Sequence, residues 1–129
     1  MSTRDFSTPT RSVRGLGSAG EGVKHFIHQR VSAIALVVLI PWFLFSIMFA
    51  MGQGYDGAVA WVEKPWNAIL LLLTFGAAAY HARLGMQTVA EDYMRGHFWR
   101  YTLLTLNAFG SIAILAVATF SILKLWLGA

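Results

Sequence analysis

Three apolar runs, residues 31–51, 66–86 and 103–123, constrain this chain more than any other feature. Each has the roughly 20 residues that a helix needs to cross a bilayer's hydrocarbon core. In that medium only a helix or a closed barrel satisfies its own backbone hydrogen bonds. A soluble core would scatter its apolar residues with helical or strand period instead of gathering them into runs. Composition agrees: of 129 residues, 57% are hydrophobic and only 12% charged, whereas about a quarter of a soluble domain is charged. The fold class that follows is an all-α integral membrane protein with three transmembrane helices. The first connection, residues 52–65, holds the turn formers Gly52, Gly54, Tyr55, Asp56 and Gly57; the second, 87–101, carries Glu91, Asp92, Arg95, Gly96 and Arg100. Connections this short force an up-down-up order. Pro65 suits the first turn of the second helix, where its missing N–H has no helical partner anyway. Pro41 predicts a kink in the first helix, since it frees the Val37 carbonyl.

Charge sets the orientation. The net charge of +4 and a pI near 9.9 do not form a nucleic-acid patch, because the basic residues flank the apolar runs. Arg4, Arg11, Arg14, Lys24, Arg30, Arg83, Arg95 and Arg100 fall toward one side, and Lys64 and Lys124 toward the other. The positive-inside rule therefore places the N-terminus and second connection in the cytoplasm and the C-terminus outside. Trp61, Trp66 and Trp126 would then mark the outer interface, and Trp99 and Tyr101 the inner one. Residues 1–24, polar and containing Pro9, read as a flexible cytoplasmic segment rather than a secretory signal, which would carry a short apolar core close behind its charges. Residues 25–129 form the anchor domain. With no cysteine, the chain offers no disulfide, zinc thiolate or iron–sulfur ligand, so any metal falls to His or a carboxylate.

His81 is the one histidine inside an apolar run; His25 and His28 precede the first, and His97 lies in the second connection. An ionisable side chain at membrane depth is a functional candidate by default. Thr74, Ala77, His81, Gly85, Thr88 and Asp92 share a narrow helical stripe, with Leu71, Leu72 and Phe75 off it. Small and polar residues mark the face a membrane helix turns toward protein or cofactor, and Gly85 leaves room for a flat macrocycle or a neighbouring backbone. Three roles are open to His81: a hydrogen bond between helices, axial ligation of haem, or a step in a proton relay. Six-coordinate haem held by two histidines would need its second ligand from another polypeptide.

The segment His81-Ala82-Arg83-Leu84-Gly85-Met86-Gln87-Thr88-Val89-Ala90-Glu91-Asp92-Tyr93 resembles the second-helix signature of the hydrophobic membrane anchors of succinate dehydrogenase, the smaller of the two anchor types. The His, Gly-Met and Asp-Tyr positions match in spacing, and Gln29-Arg30-Val31-Ser32-Ala33 is similar to the family's first-helix opening. The resemblance implies half of a heterodimeric anchor bundle in a bacterial inner membrane. It implies that His81 is an axial ligand of haem b shared with a second, cytochrome b type anchor, and that Arg30 lies near the haem propionates. Tyr93 and Asp92 would belong to a ubiquinone site. Partners would be that second anchor, an iron–sulfur subunit and a flavoprotein, with electrons passing from succinate to ubiquinone. An anchor of a quinol:fumarate reductase, a small proton-relay subunit and a cofactor-free scaffold are the competing readings.

Overall fold

A computed structural model of the chain describes residues 19–94 and 96–128, together with Thr10. Four helices follow one another: α1 (Ala19–Met51), α2 (Gly54–Val62), α3 (Pro65–Tyr93) and α4 (His97–Trp126). Three are long and apolar enough to cross a membrane, over Gly22–Met51, Pro65–Tyr93 and His97–Trp126. Each outlasts the apolar run that predicted it, because helical hydrogen bonding continues into the polar flanks. The second connection consequently shrinks to the residues between Tyr93 and His97. α1 begins at Ala19, within the segment assigned to residues 1–24; the remainder of that segment apart from Thr10, with Arg4, Pro9, Arg11 and Arg14, lies outside the described residues, as does Arg95. Pro41 sits within α1, and Pro65 opens α3 as expected.

The first connection is not the open turn that its glycines predict, since most of it is α2. Gly54, at φ +79°, makes the reversal out of α1 that a Cβ would oppose. Asp56 then occupies the first turn of α2, where a carboxylate complements the helix dipole. A Cβ at Gly57 would overlap that of Gln53, so this glycine is there for space. Burial completes α2: Trp61 and Val62 join Ala50, Ala68, Leu71 and Ile122 in one buried cluster, flanked by Trp42, Phe43, Ile47 and Leu72. Trp61 stacks on Trp42 with ring centroids 5.8 Å apart, so it is a core residue and not the interfacial anchor expected of it. Trp66 is 77% exposed. The Asn67 side-chain amide donates to the Trp61 carbonyl at 2.7 Å, satisfying one of the acceptors that the end of α2 leaves open.

α3 stands in the middle of the molecule: it packs on α1 and on α4, whereas α1 and α4 share almost no contact. The sequence of α3 explains this. At about 100° per residue, Ala79 and Arg83 lie roughly 160° around the helix from His81, so α3 carries two opposed small or polar faces. The first meets α1. On the second, Gly76, Ala79, Tyr80 and Arg83 border a small cleft with Ser111, Ile112 and Leu115 of α4, and Asn107 donates to the Arg83 carbonyl at 2.9 Å. Small residues let backbones approach, and an amide finding a partner across helices holds them. The three spans thus form a row, with α2 closing the end where α1 leads into α3. Large apolar side chains such as Val37, Phe45 and Phe120 remain more than two-thirds exposed, as a lipid-facing or partner-facing surface requires.

Candidate functional site

α1 and α3 meet through matched polar faces. His25, Gln29 and Ser32 follow one another at i, i+4 and i+7 on α1, and His81, Gly85 and Thr88 do the same on α3; that spacing sets each trio on one side of its helix. The half-buried His81 approaches Ser32, with Nδ1 3.0 Å from the serine Oγ. Ser32 is only 6% exposed, and its Oγ also lies 3.0 Å from the Gln29 carbonyl. A carbonyl can only accept, so the single hydroxyl hydrogen goes to Gln29 and Oγ accepts from Nδ1–H. The opposite arrangement would leave two acceptor oxygens facing each other without a hydrogen. The contacts favour the tautomer of His81 in which Nδ1 bears the hydrogen and Nε2 keeps its lone pair. Among the described residues that nitrogen has no hydrogen-bond partner.

One turn beyond, the Gln29 Nε2 lies 3.6 Å from where a Cβ of Gly85 would stand. Gly85 is therefore where α1 comes close, so the room expected beside His81 is partly taken by Gln29. A groove of about 410 Å³ runs on between the helices, bordered by Gly22, His25, Phe26 and Gln29 on one side and Gly85, Thr88 and Val89 on the other. Among the described residues, His25 Nε2 and Gln29 Oε1 are buried without partners. The hydroxyls of Thr74 and Thr88 donate back to Leu70 and Leu84, so they satisfy their own helix and offer no donor outward.

The other expected site residues are more dispersed. Arg30 is exposed and lies over the Phe26 ring at 5.2 Å, about 160° around α1 from Ser32. Asp92 and Tyr93, both exposed, end α3, roughly 16–18 Å along the helix from His81. Asp92 shares the His81 face and Tyr93 is turned about 120° from it. His25 and His28 lie on α1 itself rather than ahead of the membrane helix, and His28 Nδ1 is 2.7 Å from the Tyr80 hydroxyl. Sequence reasoning passed over Ser32 as a site residue, and over the His28–Tyr80 pair. Among the described residues no three His, Asp or Glu side chains gather to hold a bare metal ion. Two imidazole nitrogens of the α1–α3 seam lack a hydrogen-bond partner among the described residues, Nε2 of His81 and Nε2 of His25.

Comparison with known proteins places this arrangement. Residues 4–123 match the family model described as succinate dehydrogenase/fumarate reductase transmembrane subunit. The succinate dehydrogenase hydrophobic membrane anchor subunit of Paracoccus denitrificans is 31% identical over 124 residues, covering 96% of this chain and 95% of that one. The subunit of the same name from Rickettsia bellii is 34% identical over 123 residues, covering 95% and 90%, and that of Rickettsia conorii is 34% identical over 101 residues, covering 78% and 80%. No solved structure gives a significant match. Three apolar helices in a row, a match along nearly the whole length and relatives that share one description lead to one conclusion: the chain belongs to the succinate dehydrogenase/fumarate reductase transmembrane subunits, as a hydrophobic membrane anchor of succinate dehydrogenase.

Proposed function

We propose that this non-catalytic anchor subunit holds one side of a haem b through His81 and forms one wall of a ubiquinone site with Tyr93 and Asp92. It does so in a bacterial inner membrane with its N-terminus cytoplasmic and its C-terminus periplasmic, beside a second, cytochrome b type anchor that supplies the opposite histidine. An iron–sulfur subunit and a flavoprotein complete the assembly at the cytoplasmic face. The observation that carries the reading is the bare Nε2 of His81, left by the hydrogen bond from Nδ1–H to Ser32. Histidines that ligate a metal characteristically donate their other ring N–H to an acceptor, which holds the ring and raises its basicity. The residues present therefore fit a haem that His81 would hold, and one ligand from this chain would leave the second to a partner. When bound, the haem supplies one-electron redox chemistry between the soluble carriers and the quinone.

The chain's own residues then do three things. His81 orients its Nε2 within the membrane. Tyr93, at the cytoplasmic end of α3, offers a phenol hydrogen to a quinone oxygen, where a preorganised donor counts most as negative charge builds. Arg30, free of any carboxylate partner among the described residues, supplies a cation near the same end for a propionate or a headgroup.

A reduced-minus-oxidised spectrum of the purified complex tests the reading. Haem b bands are expected, and they should vanish in His81→Ala while the flavoprotein still oxidises succinate with an artificial acceptor. Unchanged haem in that variant would overturn the ligand role. A fumarate reductase anchor would run the same carriers in reverse. A proton relay from His81 to Asp92 lacks a connecting donor, since the hydrogen bond of His81 leads to Ser32 on another helix and the Thr88 hydroxyl donates to the Leu84 carbonyl of its own helix.

A further inference from the structure

We infer that Ser32 is a positioning residue for His81, fixing which ring nitrogen carries the hydrogen and how strongly the other donates to iron. The inference rests on the haem-ligand reading above. A serine inside a membrane helix ordinarily satisfies itself by donating to a carbonyl one turn back, and Ser32 does so toward Gln29. What sets it apart is its remaining lone pair. That lone pair is spent on the imidazole of a residue 49 positions away, on another helix, at a site only 6% exposed. Because the hydroxyl hydrogen is committed to Gln29, Ser32 is held as an acceptor and cannot rotate to become a donor without placing two oxygens against each other. The helix backbone thus acts through Ser32 on the imidazole.

Two consequences follow. Without Ser32, a neutral imidazole is free to carry its hydrogen on Nε2, where it would block ligation. With iron bound, an acceptor on Nδ1–H makes the imidazole the stronger electron donor. Stronger donation favours ferric over ferrous iron, so removing the acceptor raises the haem's midpoint potential. A serine present only for packing would give neither result.

The tautomer is tested without haem. In the full chain in detergent micelles, labelled with ¹⁵N-histidine and held near pH 8, where an ordinary imidazole is neutral, His81 should show a protonated Nδ1 and a bare Nε2. Ser32→Ala should shift hydrogen toward Nε2. The reverse tautomer in the unaltered chain, or no change in the variant, overturns the inference. The donation is tested in the purified complex by redox titration. Ser32→Ala should raise the midpoint potential, and Ser32→Thr, which keeps the hydroxyl, should restore it. An unchanged potential in Ser32→Ala, or equal shifts in both variants, overturns the inference. If Ser32→Ala loses haem altogether, Ser32→Thr decides: recovery of haem supports the positioning role and failure to recover it removes that role. A wild-type complex without haem would sink the ligand reading alone, since the nitrogen spectrum would still decide the tautomer.

Discussion

His81 reaches its orientation through a single acceptor on another helix, and the neighbouring chemistry depends on which nitrogen that acceptor leaves bare. Two substitutions probe this imidazole and the exposed phenol at the end of α3. His81→Ala should remove haem b absorbance with succinate oxidation by an artificial acceptor intact. Tyr93→Phe should slow ubiquinone reduction at least several-fold with haem content unchanged, and equal steady-state rates would remove the phenol from the mechanism. The sequence made His81 legible because an imidazole in an apolar run stands out on cost alone. Ser32 was hidden because a serine there can satisfy itself, and only the rotation of α1 against α3 reveals its second contact. The period of α1 itself separates Arg30 from Ser32, two residues apart in the chain.

At the scale of elements, the long helices were readable from apolar length and α2 was not. Its glycines argue for a turn by propensity, and only burial of Trp61 against Trp42 and Leu71 tips the segment into a helix. Trp61→Ala should therefore destabilise the end of the bundle that α2 closes, by roughly 3 kcal/mol on the scale of large core truncations. Thermal unfolding of the detergent-solubilised complex would measure it as an earlier transition. Gly54→Ala forces a side chain into positive φ at about 1–2 kcal/mol, measurable the same way. Neither change lies near His81, so haem content should hold in both, and a haem loss equal to that of His81→Ala would show that the two ends of the molecule are coupled.

For the whole molecule, three spans put Gly22 and Trp126 on opposite sides of a bilayer, and the basic flanks Lys24, Arg30 and Arg100 against Lys64 and Lys124 predict that the Gly22 side is cytoplasmic. A periplasm-dependent reporter enzyme fused after Gly128 should be active, and one inserted between Tyr93 and His97 should be silent; the opposite pattern would invert the topology. The three spans were legible in residue order, while the row itself was not, because it depends on α3 having two opposed small faces and only one attracts notice beside a histidine. That row bears on how a complex is built. With α3 flanked on its two edges and uncovered on its broad sides, a neighbouring membrane subunit can arrive by sideways diffusion within the bilayer plane. No helix has to swing aside to admit it. Assembly becomes a search in two dimensions without a gate, open to whichever subunit is inserted second.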